Sequence, residues 1–361
     1  MTISYKKYMN NLSKNNVQYN MIDVMRLVMA FVVIMLHKPF IPPSNPFPKF
    51  IVENIIGSTA VPFFFMVSSF LFFKKIGKGN DDRKVFLNYE KRLLILYTAW
   101  TIIYIPSNLI KFYGVDFNGM TFKLFVSALF QIVRNFFLST SFVHLWYVNT
   151  LIVALAAVYF MRKRLSRKLT LIISLIFFGV SNLMPILYTY LPFIEKIWTA
   201  VPVIILNVCQ KGLLCVAIGM FMSDFRECNK RSEIIFVIVG FVAMVGFSAF
   251  TYEKRNTLVE TVSLLLIFIC SASIFLLCRD IKLKNSRRYK IIRSYSSIIY
   301  FSHLLMMSEI FALIAEKTGI TAFAENRFLV YFTTVFVAVL LSTAVVSLSK
   351  MRGFKWLKYI Y

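Results

Sequence analysis

Acidic residues, histidine and cysteine are scarce in this chain of 361 residues. It contains 16 Asp and Glu against 41 Lys and Arg, with three His and five Cys. The cysteines lie in or beside apolar runs without Cys-x-x-Cys spacing, so we expect neither a metal site nor a disulfide framework. No Walker pattern is present, so ATP chemistry has no support. Internal repeats and low-complexity regions are also missing.

The excess of positive charge does not indicate nucleic-acid binding, because of where the charges lie. The larger share of Lys and Arg falls in alternate segments between long apolar runs, which is typical of inner-membrane proteins. The chain is 58% hydrophobic and contains 38 Phe, whereas a soluble domain has about 45–50% apolar residues. We therefore predict a multi-pass protein of the bacterial plasma (inner) membrane, in contact with membrane lipids and with no nucleic-acid partner.

The sequence predicts an all-α membrane protein with about ten transmembrane helices, each needing about 20 residues. The expected spans are 22–41, 52–73, 93–112, 142–160, 169–190, 201–222, 234–251, 257–278, 296–315 and 328–349. Basic segments precede the odd-numbered spans, so both termini are expected in the cytoplasm. No small-residue cleavage site follows the first apolar run, and we expect that run to be retained as a span.

The segments outside the spans complete the predicted organisation. Residues 1–21 form a polar cytoplasmic segment before the transmembrane domain at 22–349. Residues 350–361 form a basic, aromatic tail that suits a membrane interface. Residues 120–140 have apolar residues at helical spacing, which predicts an amphipathic helix at the outer interface.

The first span carries three ionisable residues, Asp23, Arg26 and His37. At about 100° and 1.5 Å per residue, Arg26 and His37 share one helical face and lie about 16 Å apart, with Asp23 within about 40°. A charge facing lipid would cost several kcal/mol, so this face must look into protein or a wet cavity. The spacing leaves two interpretations open: a functional stripe, or a structural Asp–Arg pair with a buried, hydrogen-bonded histidine.

Three later stretches carry further polar groups beside aromatic residues. The second span ends in VPFFFMVSSFLFF, which includes Ser68 and Ser69. The fourth span opens with FVHLWY, which places His144 at the outer end, at the depth of His37. The ninth begins SSIIYFSHLL, which would place His303 about 10 Å from the cytoplasmic start of that span, near the level of Arg26.

Together these stretches resemble the acyltransferase 3 family of integral-membrane acyltransferases. The first-span Asp-x-x-Arg and His pattern, Pro-Phe-Phe-Phe, His-Leu-Trp-Tyr and the Tyr300 to His303 run cover nearly the whole chain in order. Ser69 stands where the family usually has Gly, and Leu304 where Pro often follows the histidine. The resemblance implies transfer of acyl groups, commonly acetyl, onto carbohydrates and other acceptors.

The resulting hypothesis is an O-acyltransferase that acetylates a bacterial surface glycan or lipid-linked precursor from acetyl-CoA. Arg26 and His303 would bind the donor, an acyl-CoA, because a guanidinium suits its phosphates; no other cofactor is expected. His37 and His144 would act as general base or carry the acyl group, which makes Arg26, His37 and His144 the candidate catalytic residues. Further residues, either cavity-lining or oxyanion-stabilising, are Asp23, Ser68, Ser69, Asn149, Lys211 and Glu309.

Several alternatives remain open on the sequence alone. The basic loop 74–92 binds either donor phosphates or anionic lipid. Lys211 either lines a cavity or pairs with an acid such as Glu309. Because Arg26 and His37 are too far apart to touch one carbonyl, either the pantetheine arm reaches along the cavity or the acyl group is relayed. The rival functions are a transporter of a glycan, amino acid or lipid precursor, and a non-catalytic partner in glycan assembly.

Overall fold

The computed structural model describes residues 18–37, 40–42, 44–77, 81–113, 121–225, 229–305 and 326–361, which contain helices and no strand. The α-helices in chain order are α1 Asn20–His37, α2 Pro46–Lys49, α3 Ala60–Phe73, α4 Asp82–Ile103, α5 Ile105–Tyr113, α6 Phe122–Leu138, α7 Trp146–Arg164, α8 Arg167–Tyr190, α9 Pro192–Thr199, α10 Val203–Asn207, α11 Leu213–Met222, α12 Lys230–Phe250, α13 Thr257–Asp280, α14 Arg288–Leu304 and α15 Arg327–Leu348. Turns of π-helix lie at Phe50–Ile56 and Val208–Gly212, and 3-10 turns lie at Gly57–Thr59, Val143–Leu145 and Arg352–Ile360.

Eight helical segments in the described part of the chain are long and apolar enough to cross a membrane. This confirms the all-helical, multi-pass architecture. The segment Phe122–Arg164 joins α6 and α7, while α4 is outside the eight because charges crowd its first half. Helix α14 has 17 described residues and is followed by undescribed ones. The number ten and the cytoplasmic placement of both termini therefore stay predictions.

Side-chain caps set the starts of six of the described helices. In each, backbone N–H groups of the first turn donate hydrogen bonds to the capping side chain, which is Asp81, Thr121, Ser166, Asn229, Asn256 or Asn326. These groups have no partner inside a helix, and a cap contributes about 1 kcal/mol. Each cap is supplied by the residue directly ahead of its helix, so the local sequence determines where these helices begin.

Helix α1 lies at the centre of the bundle, packed against α14 and α3. Ile22, Ala30 and Ile34 are buried in these contacts. Helices α1 and α14 run parallel, because residues near both starts contact each other, as do residues near both ends. We call the two ends of the bundle the Arg26 end and the His37 end of α1.

Helices α3 and α11 approach each other unusually closely. A Cβ atom at Gly219 would lie 2.4 Å from the carbonyl oxygen of Met66 and 2.9 Å from Cβ of Ser69. Ser69 Oγ also donates a hydrogen bond of 2.6 Å to the Val216 carbonyl. Gly219 on α11 therefore leaves space for Ser69 on α3, which stands where the family usually has Gly.

The helix predicted at 120–140 is present as α6. Its Ala128 and Ile132 side chains are buried against the bundle, while Phe122, Phe130 and Phe137 are exposed. A helix with one packed face and one exposed apolar face fits a position beside lipid. Its placement at the outer interface stays a prediction.

The C-terminal tail folds back onto the bundle. Trp100 Nε1 donates a hydrogen bond of 2.9 Å to the Ile360 carbonyl, and Ser349 Oγ and Tyr361 Oη lie 2.8 Å apart. Leu357 and Ile360 are buried. Phe354, Trp356 and Tyr359 of the same tail are exposed, so its position at a membrane interface stays a prediction.

Candidate active site

The three histidines of the chain lie together at the His37 end of the bundle. The ring centroid of His303 is 5.2 Å from that of His37 and 5.3 Å from that of His144. They come from three elements that are distant in sequence: the end of α1, the 3-10 turn before α7, and the last turn of α14. His144 and His303 are fully buried, and His37 is half-buried. We call this group the histidine cluster.

Backbone carbonyls orient two of these rings. His303 Nδ1 lies 2.6 Å from the Tyr300 carbonyl oxygen, and His144 Nε2 lies 3.1 Å from that of Phe301. A carbonyl only accepts, so both of these nitrogens carry the proton in a neutral ring. The other nitrogen of His303, Nε2, is therefore a proton acceptor. It is buried, with no hydrogen-bond partner among the described residues.

A cavity of about 210 Å³ lies beside the cluster. We call it the histidine cavity. Its polar walls come from His37, His144, Ser58, Lys211 and Tyr300, and the rest of its lining is mostly apolar. An apolar pocket with a few convergent polar groups is the usual form of a small-molecule site. The cavity therefore supports the interpretation that the polar face of α1 with Arg26 and His37 is functional and not only structural.

Among the described residues, Lys211 is the cation that lines the histidine cavity. It lies in the π turn Val208–Gly212, with its ammonium 5.2 Å from the centroid of the Trp146 ring. An ammonium over an aromatic face is stabilised by the ring quadrupole. Lys211 lines this cavity, as the sequence predicts, and its role there stays a prediction. Its other predicted partner, Glu309, lies outside the described residues.

At the Arg26 end, Asp23 pairs mainly with a residue that the sequence reasoning did not select. Arg293 on α14 donates two hydrogen bonds to Asp23, of 2.8 and 2.6 Å, whereas Arg26 Nη1 is 4.0 Å from the same carboxylate. The predicted cavity-lining role of Asp23 is wrong, because the carboxylate is buried under this two-bond contact. Asp23 instead fixes Arg293 beside Arg26.

A second cavity, of about 500 Å³, opens beside these arginines. We call it the basic cavity. The cations in its wall are Arg26, Lys75, Arg92, Lys290, Arg293 and Lys358. No Asp or Glu is among its described lining residues. Such a concentration of positive charge favours a polyanionic ligand.

Tyr300 borders both cavities. Its hydroxyl donates a hydrogen bond of 3.0 Å to the His144 carbonyl, and its ring packs against Tyr147 and Phe64, with centroids 5.5 Å away in each case. The two cavities therefore meet at one aromatic side chain, with Arg26 on one side and the histidine cluster on the other.

The predicted depth of His303 is wrong. It was placed at the level of Arg26 because the ninth span was expected to begin at residue 296. Helix α14 begins at Arg288, which puts His303 about 22 Å from the helix start at 1.5 Å per residue. That length carries His303 to the level of His37. Its assignment to donor binding stays a prediction. At this level His303 would contact the acyl end of the donor and not its phosphates.

The oxyanion candidates do not lie beside the histidine cluster. Ser68 lines the basic cavity, with its Oγ 3.0 Å from Tyr147 Oη. Ser69 Oγ is occupied by the Val216 carbonyl. The predicted cavity-lining position of Asn149 is wrong, because its amide donates to the Ser139 carbonyl at 2.8 Å and ties α7 to the end of α6. Lys211 is the cationic group that borders the histidine cavity in the described chain.

Sequence reasoning missed Arg293, Tyr300, Trp146 and Lys358 as site residues. Arg293 and Lys358 belong to basic segments that served only as a topology signal. No sequence signal pointed to Arg293, because Arg26 within α1 already offered a cation for Asp23. Tyr300 was part of a family-like stretch, and its spacing of three from His303 places both on one helical face.

Comparison with known families identifies the chain. The model of a family described as an acyltransferase domain matches residues 19–347. This chain belongs to the acyltransferase 3 family. The family match covers all three histidines and Arg26, and it confirms the resemblance found in the four sequence stretches. The protein is thus a membrane acyltransferase by family.

Curated relatives match only in part. An amino-acid racemase of Enterococcus faecalis is 22% identical over 312 residues, which is 80% of this chain and 41% of that protein. A second match to an amino-acid racemase of the same species is 27% identical over 163 residues, 45% of this chain and 21% of the relative. A serine/alanine racemase of Enterococcus gallinarum is 28% identical over 133 residues, 36% of this chain and 18% of the relative. The chain spans less than half the length of these relatives. No solved structure was found to match it.

Proposed function

We propose that this protein is an O-acyltransferase of the bacterial plasma membrane that moves acetyl from acetyl-CoA to a hydroxyl of a cell-surface glycan or its lipid-linked precursor. One observation carries the proposal: Tyr300 separates a cavity lined by six cations from a cavity lined by histidines. A donor with a polyphosphate head and a reactive acyl end needs both kinds of surface.

The basic cavity suits the head of acetyl-CoA. Its phosphates are multiply charged, and planar guanidinium groups such as those of Arg26 and Arg293 bind phosphate oxygens in pairs. The basic segments predict that this end faces the cytoplasm, where acetyl-CoA is made. Arg26 and Tyr300 both line the basic cavity, so Arg26 would hold the donor in the cavity that its arm leaves past Tyr300.

The histidine cavity supplies the groups that acyl transfer needs. His37 would take the proton from the acceptor hydroxyl as that oxygen attacks the thioester carbon. The carbon–sulfur bond then breaks, the acetyl ester remains on the acceptor, and the CoA thiolate takes up the proton from His37. The Lys211 ammonium would stabilise the negative oxygen of the tetrahedral intermediate. His303 and His144 would orient the His37 ring and stabilise the positive charge that it gains with the proton.

The wall shared at Tyr300 supports direct transfer. In this route the pantetheine arm passes the Tyr300 ring and brings the thioester from the basic cavity to the histidine cluster. A relay would instead load the acetyl group on His37 as an acyl-imidazole before the acceptor attacks. We favour the direct route because the two cavities border the same side chain and need no second carrier.

The test compares His37→Ala and Arg26→Ala with a control variant, Arg134→Ala, which removes an exposed arginine of α6. Surface polysaccharide is purified from cells with equal amounts of each variant in the membrane, and base-released acetate is measured. We expect both site variants to lose acetylation by about 100-fold or more, and Arg134→Ala to match the wild type. Unchanged acetylation in both site variants would remove the proposal.

A transporter is the second candidate, because the partial relatives are named as racemases of amino acids and two cavities approach from opposite ends. Proteoliposomes containing the protein separate the two functions. The acyltransferase hypothesis expects transfer of radiolabelled acetyl from acetyl-CoA and no time-dependent uptake of labelled serine or alanine. Uptake without acetyl transfer would favour the transporter.

A further inference from the structure

A third cavity adjoins the histidine cavity on the far side of Lys211. It measures about 390 Å³ and lies between α8, α13 and the π turns Phe50–Ile56 and Val208–Gly212. Ser58, Lys211 and Leu264 border both cavities. We call it the polar cavity. It is at the His37 end of the bundle and has a common wall with the candidate catalytic site.

The polar cavity presents hydrogen-bonding groups that the protein does not use itself. The side chains of Asn54, Gln210 and Ser263 make no hydrogen bond to another described residue, although all three line the cavity. Gln210 and Ser263 are half-buried, on segments long and apolar enough to cross a membrane. Polar side chains in such positions are retained where they face water or a ligand.

The π turn explains how two consecutive polar residues reach this space. One extra residue in the turn Val208–Gly212 shifts the helix face, so that both Gln210 and Lys211 line the polar cavity. Asn182 on α8 donates a hydrogen bond of 3.1 Å to the Gln210 carbonyl and stabilises the turn. Single π turns inside α-helices occur frequently at functional sites.

The chemistry of the lining favours a neutral ligand with many hydroxyl groups. Amide and hydroxyl side chains both donate to and accept from hydroxyls, and they predominate here over charged groups. At the rim Arg255 and Glu260 already form an ion pair of 3.0 Å, so neither charge calls for an ionic ligand. The remaining charged group of the lining, Lys211, is shared with the histidine cavity, where its ammonium lies 5.2 Å from the centroid of the Trp146 ring. Phe50 and Ile267 supply apolar surface for the C–H faces of a sugar ring. The volume fits a small-molecule site, which is typically about 300–1,000 Å³.

We infer that the polar cavity is the acceptor site and that it takes a carbohydrate whose reacting hydroxyl passes Lys211 to reach His37. This inference rests on the proposed acetyl transfer to a glycan, which it extends by assigning the acceptor a place and the residues that bind it. Gln210 and Asn54 bind the sugar hydroxyls, while Asn182 positions Gln210 through its carbonyl.

The test measures binding and transfer separately. Methyl glucoside, methyl galactoside and methyl N-acetylglucosaminide are titrated into purified full-length protein in detergent. Trp146, which borders the adjoining cavity, reports binding by its fluorescence. We expect Gln210→Ala to weaken glycoside binding about three- to tenfold, the value of one hydrogen bond. Gln131→Ala on α6 is the matched control and should leave binding unchanged. Ser263→Ala provides a second cavity variant should Gln210→Ala fail to fold.

Transfer is then measured with radiolabelled acetyl-CoA and the glycoside that binds best. We expect Gln210→Ala to raise the KM for the glycoside much more than the KM for acetyl-CoA. Glycoside binding that the cavity variants leave unchanged would overturn the inference, even where acetyl transfer is observed. A fluorescence change when serine is added, with no change for any of the glycosides, would also overturn the inference. Gln210-dependent glycoside binding without acetyl transfer would keep the carbohydrate site and remove the proposed function.

Discussion

The three histidines differ in what their ring nitrogens can do. His144 and His303 each donate to a carbonyl of the same short stretch, Tyr300 and Phe301. This leaves Nε2 of His303 as a buried proton acceptor, with its ring against that of His37. A neutral acceptor here stabilises the imidazolium that forms on His37 when it takes a proton, in the way that a second group orients the base in acyl-transfer enzymes.

Replacing His303 by asparagine tests this assignment. The asparagine amide can still donate to the Tyr300 carbonyl, whereas the acceptor at the position of Nε2 is lost. We expect His303→Asn to keep a thermal unfolding midpoint close to that of the wild type and to lower kcat for acetyl transfer about 100-fold. A kcat within a factor of two or three of the wild type, at unchanged stability, would show that Nε2 has no part in proton transfer.

The residues of α1 were predictable, and the reason is geometric. An ionisable residue in an apolar span must face protein or water, and the helical repeat puts Arg26 and His37 on one face. Both side chains do line cavities. The partners were not predictable in the same way. Arg293 lies 270 positions from Asp23 in the chain, and only the packing of α14 on α1 brings them together.

At the level of helices, the apolar runs predicted most boundaries well, but they did not reveal where a helix departs from regular α geometry. Asn229 and Asn256 cap helices where the apolar runs begin. The start of α14 was placed eight positions too late, because the charged segment after Arg288 looks like a loop while in fact it is helical. The π turn at Val208–Gly212 has no pattern in the sequence, since it arises from packing against α8.

The close approach of α11 and α3 predicts that alanine has opposite effects on stability at two glycines of the chain. An alanine in place of Gly219 would put Cβ 2.4 Å from the Met66 carbonyl, so the helices must move apart. At Gly246 on α12 no atom lies within 4 Å of such a Cβ. Alanine is favoured over glycine in a helix by about 1 kcal/mol, so without a clash the exchange stabilises.

We therefore expect Gly219→Ala to lower the thermal unfolding midpoint of the purified protein and Gly246→Ala to leave it unchanged or raise it. Acetyl transfer should also fall in Gly219→Ala, because α11 continues the π turn that carries Lys211. Equal midpoints for the two variants would show that α3 and α11 can relax without cost.

For the whole molecule, the fold class and the membrane location of the family follow from composition and the order of apolar runs, whereas the cavities do not. A cavity depends on which side chains from distant helices fail to fill a space, and no single helix encodes that. The charge pattern served as a topology signal in the sequence. In the structure some of the same cations, such as Lys75 and Arg92, also line the basic cavity.

The C-terminal tail offers a test of whether the basic cavity binds the donor. Lys358 lines this cavity, whereas Lys355, three positions earlier in the same tail and equally exposed, does not. An exposed charge contributes about 0.2–1 kcal/mol to an ionic contact. We expect Lys358→Ala to raise the KM for acetyl-CoA about two- to fivefold at low salt, and Lys355→Ala to leave it unchanged. The difference should shrink as salt is added, because the Debye length falls from about 30 Å at 0.01 M to about 8 Å at 0.15 M. An equal effect of the two lysines would mean that the tail attracts the donor only through its overall charge. No effect of either would place the phosphates elsewhere than in the basic cavity.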